Sequence, residues 1–236
     1  MSIAENVAAI RAQIAEAALA AGRDPAEVKL CAATKMNDAD AVRQAIAAGV
    51  DLCGENRVQE LTQKLSENAY EGAPVHFIGH LQTNKVKQVV GKVDVIQSVD
   101  SLRLLEAIQK EAAKQGIRQD ILLEVNVGGE ESKTGFAPGE VLPLVDRFSD
   151  FPNTRLLGLM AIPPVCEKSG GNDKFFQEML ALAVDITAKK SDNVRVDVLS
   201  MGMSGDFADA VRCGSTMIRI GTAIFGARDY SKSHQA

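Results

Sequence analysis

A lysine that ends one apolar run and an arginine-glycine-threonine step that ends another are the residues best suited to chemistry. The first run reads Lys29-Leu-Cys-Ala-Ala-Thr-Lys35 and the last reads Thr216-Met-Ile-Arg-Ile-Gly-Thr-Ala-Ile-Phe225. If the strands between them close into a barrel, first and last become neighbours. An amine then faces an arginine and a phosphate-sized glycine turn at one rim, the layout for an aldehyde ligand that carries a phosphate. On local sequence alone Lys35 is a solvated lysine at a strand end. In a barrel mouth it is partly desolvated, which favours the neutral amine that a Schiff base needs. Arg219 precedes the glycine turn and could bind phosphate or face a pyridine nitrogen. A guanidinium only donates, so it would keep that nitrogen unprotonated and the ring a poor electron sink.

Other candidates have structural readings beside the functional ones. Gly54-Glu-Asn-Arg-Val-Gln-Glu60 closes one run and opens a helix. Asn56 is as well suited to capping that helix as to touching a ligand; Glu55, Arg57 and Glu60 are expected in surface ion pairs. His76-Phe-Ile-Gly-His80 puts His80 at the rim and His76 at the strand start, and a structural histidine is the commoner case for both. The third histidine, His234, is in the tail, so no metal cluster is expected. In Leu199-Ser-Met-Gly-Met-Ser-Gly-Asp206, Ser204 reads as a helix cap and Asp206 as a complement to the helix dipole. Ser200 and Gly202 are less easily explained that way: one offers a hydroxyl, the other close backbone approach. Gly221 and Thr222 offer the same pair of features after the last run. Phosphate sites in α/β barrels favour the loops after strands seven and eight.

The elements that must position these residues alternate. Apolar runs fall near 29–34, 50–53, 75–78, 93–97, 120–127, 155–161, 195–199 and 216–220. Helical patterns fall at roughly 38–48, 56–68, 83–91, 101–115, 138–149, 172–189 and 205–213, and an additional amphipathic helix spans 3–21. Eight runs with intervening helices predict parallel strands closed into a (β/α)8 TIM barrel, with a doubly wound open sheet as the rival. No linker or repeat divides the chain, so residues 1–236 are expected to form one domain with an extra N-terminal helix. Counting in twos along the runs puts Cys31, Ala33, Gly158, Met160, Val196, Val198 and Met217 inside. The most loop-like stretch is 163–173, with two prolines and two glycines.

Composition narrows the classes. Hydrophobic residues make up 46% of the chain but aromatics only 4%, so the core must be aliphatic. The net charge of −5 argues against unassisted binding to nucleic acid or acidic membranes. The four cysteines, Cys31, Cys53, Cys166 and Cys213, are far apart and read as reduced thiols of a cytoplasmic protein. No signal peptide and no membrane span are expected.

These motifs together resemble the pyridoxal phosphate homeostasis family, small relatives of the alanine racemase barrel. The resemblance runs over nearly the whole chain. It rests on Ala-Thr-Lys35, Gly54–Glu60, His76–Lys85, Ser98-Val-Asp100, Ser132-Lys-Thr-Gly135, Gly158-Leu-Met160, Leu199–Ser204 and Arg219-Ile-Gly-Thr222. Thr34 stands where such proteins often have serine, a conservative change. The resemblance implies that Lys35 holds pyridoxal 5′-phosphate (PLP) as a Schiff base, that Ser200, Gly221 and Thr222 hold the phosphate, and that Arg219 faces the pyridine nitrogen. The cofactor-binding set is then Lys35, Asn56, His80, Met160, Ser200, Gly202, Arg219, Gly221 and Thr222, with no catalytic residue and no metal ligand. It further implies a role in vitamin B6 homeostasis without robust catalysis, PLP-dependent apoenzymes as partners, and a monomer or weak dimer. The alternative is a PLP-dependent enzyme on a small amino acid, with His80 or Lys35 as base. Against it, the Lys-Ala-x-x-Tyr segment of racemases is absent, the chain stops after the eighth strand, and Tyr70 and Tyr230 are its only tyrosines. A third reading is an aldolase that uses Lys35 directly on a sugar phosphate.

Overall fold

In the computed structural model the apolar runs form eight parallel strands closed in chain order. They are β1 Lys29–Ala33, β2 Leu52–Glu55, β3 Val75–Phe77, β4 Val95–Val99, β5 Gln119–Val125, β6 Thr154–Ala161, β7 Val194–Ser200 and β8 Met217–Ile220. Closure is made by β1 against β8, with Cys31 level with Arg219. The structure describes residues 1–166, 168–189 and 191–226; Tyr230, His234 and position 167 of the 163–173 loop lie outside the described residues. No helix among them is long and apolar enough to cross a membrane.

The helices are α1 Ile3–Ala20, α2 Ala39–Ala47, α3 Val58–Ser66, α4 Leu102–Gln115, α5 Pro138–Val145, α6 Asp173–Thr187, α7 Phe207–Arg212 and α8 Thr222–Phe225. Polar caps set several starts. Asp38 accepts from the Ala41 amide at 2.9 Å, and Ser2 and Glu5 form a capping box at α1. The segment expected as a helix over 83–91 is a 3-10 turn, Thr83–Gln88. Val86, Val89 and Val90 still face the core, so the apolar spacing survives while the hydrogen bonds tighten.

The core has two layers. Outside the barrel, Val7, Ile10, Ile14, Ala17 and Ala18 of α1 pack with Phe207, Val211, Ile218, Ile220 and Ile224, so the extra helix covers the β8–β1 seam. Inside, Cys31, Leu52 and Met217 make one cluster, and Val95, Leu122 and Met160 another, with Val198 touching both. Cys31, Met160, Val198 and Met217 thus face where alternation puts them; Val196 instead packs against the outer core. The cause is a register shift at Gly158, whose φ of +147° no β-branched neighbour could adopt and whose added Cβ would collide with the Val198 carbonyl. Leu157 and Met160, three apart, consequently face the same interior cluster.

Candidate functional site

The carboxyl-terminal rim gathers the sequence-predicted residues, and Lys35 is held there from both sides. It follows β1 and is half-buried. The carbonyl of Thr34 before it accepts from Lys64 Nζ at 2.7 Å, and the amide of Met36 after it donates to Glu60 Oε2 at 2.6 Å. Met36 has φ +62°, a left-handed conformation that costs a non-glycine residue about 1–2 kcal/mol. Helix α3 supplies both clamping side chains, so the lysine's backbone is fixed by the neighbouring strand–helix unit.

Glu55, expected at the surface, is fully buried. Its Oε1 meets Lys64 Nζ at 2.6 Å and accepts from Tyr70 at 3.3 Å and from Thr34 Oγ1. The reason is register: Glu55 ends β2 on its outer face, behind the rim, where Lys64 of α3 reaches down to it. The Tyr70 hydroxyl is pushed far above its ordinary range, by burial first and the Glu55 charge second. Arg57 and Glu60 do pair, at 3.6 Å, but only Arg57 is exposed; Glu60 is half-buried and also lies 3.6 Å from Lys64 Nζ.

Arg219 lies within the barrel wall, 5% exposed. Its Nη1 donates to the Ser200 carbonyl at 2.7 Å and to Ser200 Oγ at 2.6 Å; its Nη2 donates to the Ala161 carbonyl at 2.9 Å. Burial pulls its pKa down, against the opposing pull of Glu124 and Asp206. Ser200 is fully buried, and its hydroxyl donates to Gln97 Oε1 at 2.7 Å. That proton is therefore spent inside the barrel. Met160 is buried in the apolar cluster below.

The other predicted residues fall around this floor. Asn56 does not cap α3; Arg57 occupies the cap position without a side-chain bond, and Asn56 Oδ1 is buried with no hydrogen-bond partner. His80 is exposed, with Nδ1 2.9 Å from Asp100 Oδ2. Gly202 has φ +94°, and a Cβ there would lie 2.6 Å from the Ala210 methyl, so packing against α7 already requires glycine. Gly221 is different. A Cβ would meet only Ala33, at an ordinary 3.5 Å, so nothing within the protein demands glycine there. Thr222 is exposed at the start of α8, where the first amides lack intrahelical partners. Ser204 is not the cap of α7: Asp206 holds that position, and its Oδ1 accepts from the Met203 amide at 2.8 Å.

Two interior residues were missed by sequence reasoning. Glu124 is the last inward residue of β5; burial first, then the Asp100 charge, raise its pKa to about 7, with Arg219 and His80 opposing. The signal was a lone carboxylate in the apolar run Ile121-Leu-Leu-Glu-Val125. Gln97 is two positions after the interior Val95, so alternation along β4 could have placed it inside. His76, read as structural, is buried in the barrel beside it, 2.8 Å from Gln97 Nε2. No metal-binding cluster occurs among the described residues.

Comparison with known proteins follows the same lines. The family described as "Alanine racemase, N-terminal domain" matches residues 5–229. The pyridoxal phosphate homeostasis protein of Pseudomonas aeruginosa is 42% identical over 229 residues, covering 97% of both chains. PipY of Synechococcus elongatus, solved with PLP bound, superposes with a TM-score of 0.81 at 32% identity, covering 95% of this chain and 100% of that one. Alanine racemase of Clostridium difficile shares the fold alone, with a TM-score of 0.69 at 14% identity, and this chain spans 57% of its length.

Proposed function

The chain belongs to the pyridoxal phosphate homeostasis family, built on the alanine racemase N-terminal barrel, and from that premise we propose that it binds PLP at the carboxyl-terminal rim, with Lys35 as the Schiff-base amine. It acts in vitamin B6 homeostasis in the cytoplasm, holding the cofactor for PLP-dependent apoenzymes without robust catalysis of its own. It does so as one domain, a monomer or weak dimer. The observation that carries the reading is the β1–β8 closure, which sets the strand of Lys35 beside Arg219 and the Gly221–Thr222 turn.

The residues fit the cofactor. Gly221 leaves room for close approach that no internal packing uses, and Asn56 Oδ1 is a buried acceptor in need of a donor. Bound PLP supplies an aldehyde carbon to an amine and a pyridine ring that can withdraw electrons. Lys35 provides the amine from a clamped backbone. Gly221, Thr222 and the Gly202 loop would hold the phosphate, with Ser200 beneath them bonded to Arg219. Asn56, His80 and Met160 would hold the ring. Arg219 offers only donors, so it leaves the ring nitrogen unprotonated and the ring weakly electron-withdrawing. Tyr70, the one tyrosine among the described residues, is turned away onto Glu55 and cannot act as an opposing base.

Glu124 favours the second reading, a PLP-dependent enzyme on a small amino acid. A carboxyl that titrates near neutrality beside Arg219 can exchange protons. Two experiments separate the readings. Borohydride reduction after incubation with PLP, followed by peptide mass analysis, should place a phosphopyridoxyl group on Lys35. An unmodified Lys35, with reduction verified on a control enzyme, would overturn the assignment and favour direct aldolase chemistry. Amino-acid turnover well above that of free cofactor, and lost in Lys35→Ala, would replace the carrier with the enzyme.

A further inference from the structure

Four buried polar side chains cross the barrel interior, from the rim to the middle of β3. Arg219 Nη1 meets Ser200 Oγ at 2.6 Å, Ser200 Oγ meets Gln97 Oε1 at 2.7 Å, and Gln97 Nε2 meets His76 Nδ1 at 2.8 Å. All four are at most 7% exposed. They come from four different strands, so backbone pairing does not account for them.

The direction of each bond follows from the chemistry of one end. A guanidinium can only donate, so the Ser200 oxygen accepts and its single proton turns to Gln97. The Gln97 carbonyl is then the acceptor, and its amide nitrogen must face the other way, donating to His76 Nδ1 and to Met217 Sδ at 3.2 Å. His76 is thereby required to be neutral with its proton on Nε2. Burial agrees, pulling the histidine down to about 4. No member can reverse without stranding a buried polar atom.

We propose that Gln97 and His76 are positioning residues for Arg219, fixing through Ser200 the angle at which the guanidinium meets the ring of the bound cofactor. This rests on the reading that PLP binds over Arg219. Neither residue reaches the cofactor itself. Gln97 acts by giving the Ser200 proton its only interior acceptor, and His76 acts by fixing which way the Gln97 amide points.

The test is a pH titration of the absorbance of PLP bound to wild-type, Gln97→Leu, Gln97→Met, Ser200→Ala and Ser200→Ala/Gln97→Leu proteins, with the Lys35 adduct assayed in each. The other ionisable groups nearest Arg219, namely Cys31, Glu124 and Asp206, are unchanged in all of them. Gln97→Leu removes the acceptor, so the ring's titration midpoint should move by about one pH unit, a tenfold change in proton affinity, while Lys35 still takes the adduct. Gln97→Met removes the same acceptor without adding charge and should show the same shift, which serves if the leucine variant does not fold. Because Gln97 acts through Ser200, Gln97→Leu added to Ser200→Ala should move the midpoint no further than Ser200→Ala alone. A wild-type titration in Gln97→Leu or Gln97→Met with the adduct present, or a further shift in the double variant, overturns the positioning role alone. Absence of the adduct from wild-type protein overturns the cofactor reading and this inference with it.

Discussion

Lys64→Met should be among the most damaging single changes in the molecule. Lys64 Nζ lies 2.6 Å from Glu55 Oε1, with the two side chains 6% and 0% exposed. A second oxygen, Glu55 Oε2, is buried with no hydrogen-bond partner, so the carboxylate depends on Lys64 for its countercharge. Removing one partner of a buried pair costs about 3–5 kcal/mol, whereas removing both charges together is often close to neutral. Tyr70 and Thr34 still donate to Glu55 after the change, which places the expected loss near 3 kcal/mol rather than 5. The double variant Glu55→Gln with Lys64→Met should recover at least half of that. Equilibrium urea unfolding at neutral pH measures all three proteins. A Lys64→Met loss under about 1 kcal/mol at neutral pH would refute the burial argument, because that is the value of an exposed pair. Lys64 also holds the Thr34 carbonyl, so the folded variant should take the Lys35 adduct more slowly than wild type.

Gly221→Ala should leave thermal stability within about 0.5 kcal/mol of wild type, since the new methyl meets only ordinary contacts. The same change should weaken PLP retention by about tenfold or more, read by dialysis and absorbance; equal retention would place the phosphate elsewhere. Glu124→Gln addresses pH. The folded carboxyl titrates at about 7, above its unfolded value, so its ionisation opposes folding as pH rises through that range. The variant should gain roughly 1–3 kcal/mol over wild type at pH 8 and little at pH 4, and an equal difference at both would remove the assigned cause. His76→Gln tests the opposite sign. The folded histidine titrates near 4, below its unfolded value, so wild-type stability falls as pH drops from about 6.5 towards 4; the variant should lose less over that window in urea melts.

The barrel was legible because its signals are periodic. Eight apolar runs with helices between them allow few topologies, and the closure that brings Lys35 to Arg219 follows from strand count alone. Residues at strand ends were legible for the same reason: Lys35 and Gly221 each follow an apolar run by one step, and Arg219 is the charged residue one place before the end of its run. What escaped were side chains whose environment depends on phase. The shift at Gly158 turned Val196 outward. Glu55 looked like a surface residue because its partner, Lys64, is nine positions away on a helix whose packing angle no local pattern encodes. Asn56 shows the reverse case. Cap and ligand contact were equal readings until the backbone put the cap at Arg57 and left the Asn56 oxygen buried and alone.

The two sides of the site are built on different principles, and the difference bears on carriage against catalysis. Lys35 is held by its backbone: Lys64 takes the carbonyl before it and Glu60 the amide after it, while its own long side chain extends from a half-buried position. Arg219 is held by its side chain, with both terminal nitrogens bonded into the barrel wall. A lysine whose backbone is clamped on both sides suits the proposed role of meeting an aldehyde at a fixed place on the rim. A guanidinium fixed by three bonds, which cannot give up a proton to the ring, suits holding that ring in one electronic state. An enzyme that drew electrons into the ring would need a proton donor at that position, and replacing Arg219 with one would strand the Ala161 and Ser200 carbonyls and the Ser200 hydroxyl that it now satisfies. On the proposed reading, the interior hydrogen-bond chain therefore fixes what the ring nitrogen meets, a guanidinium that only donates.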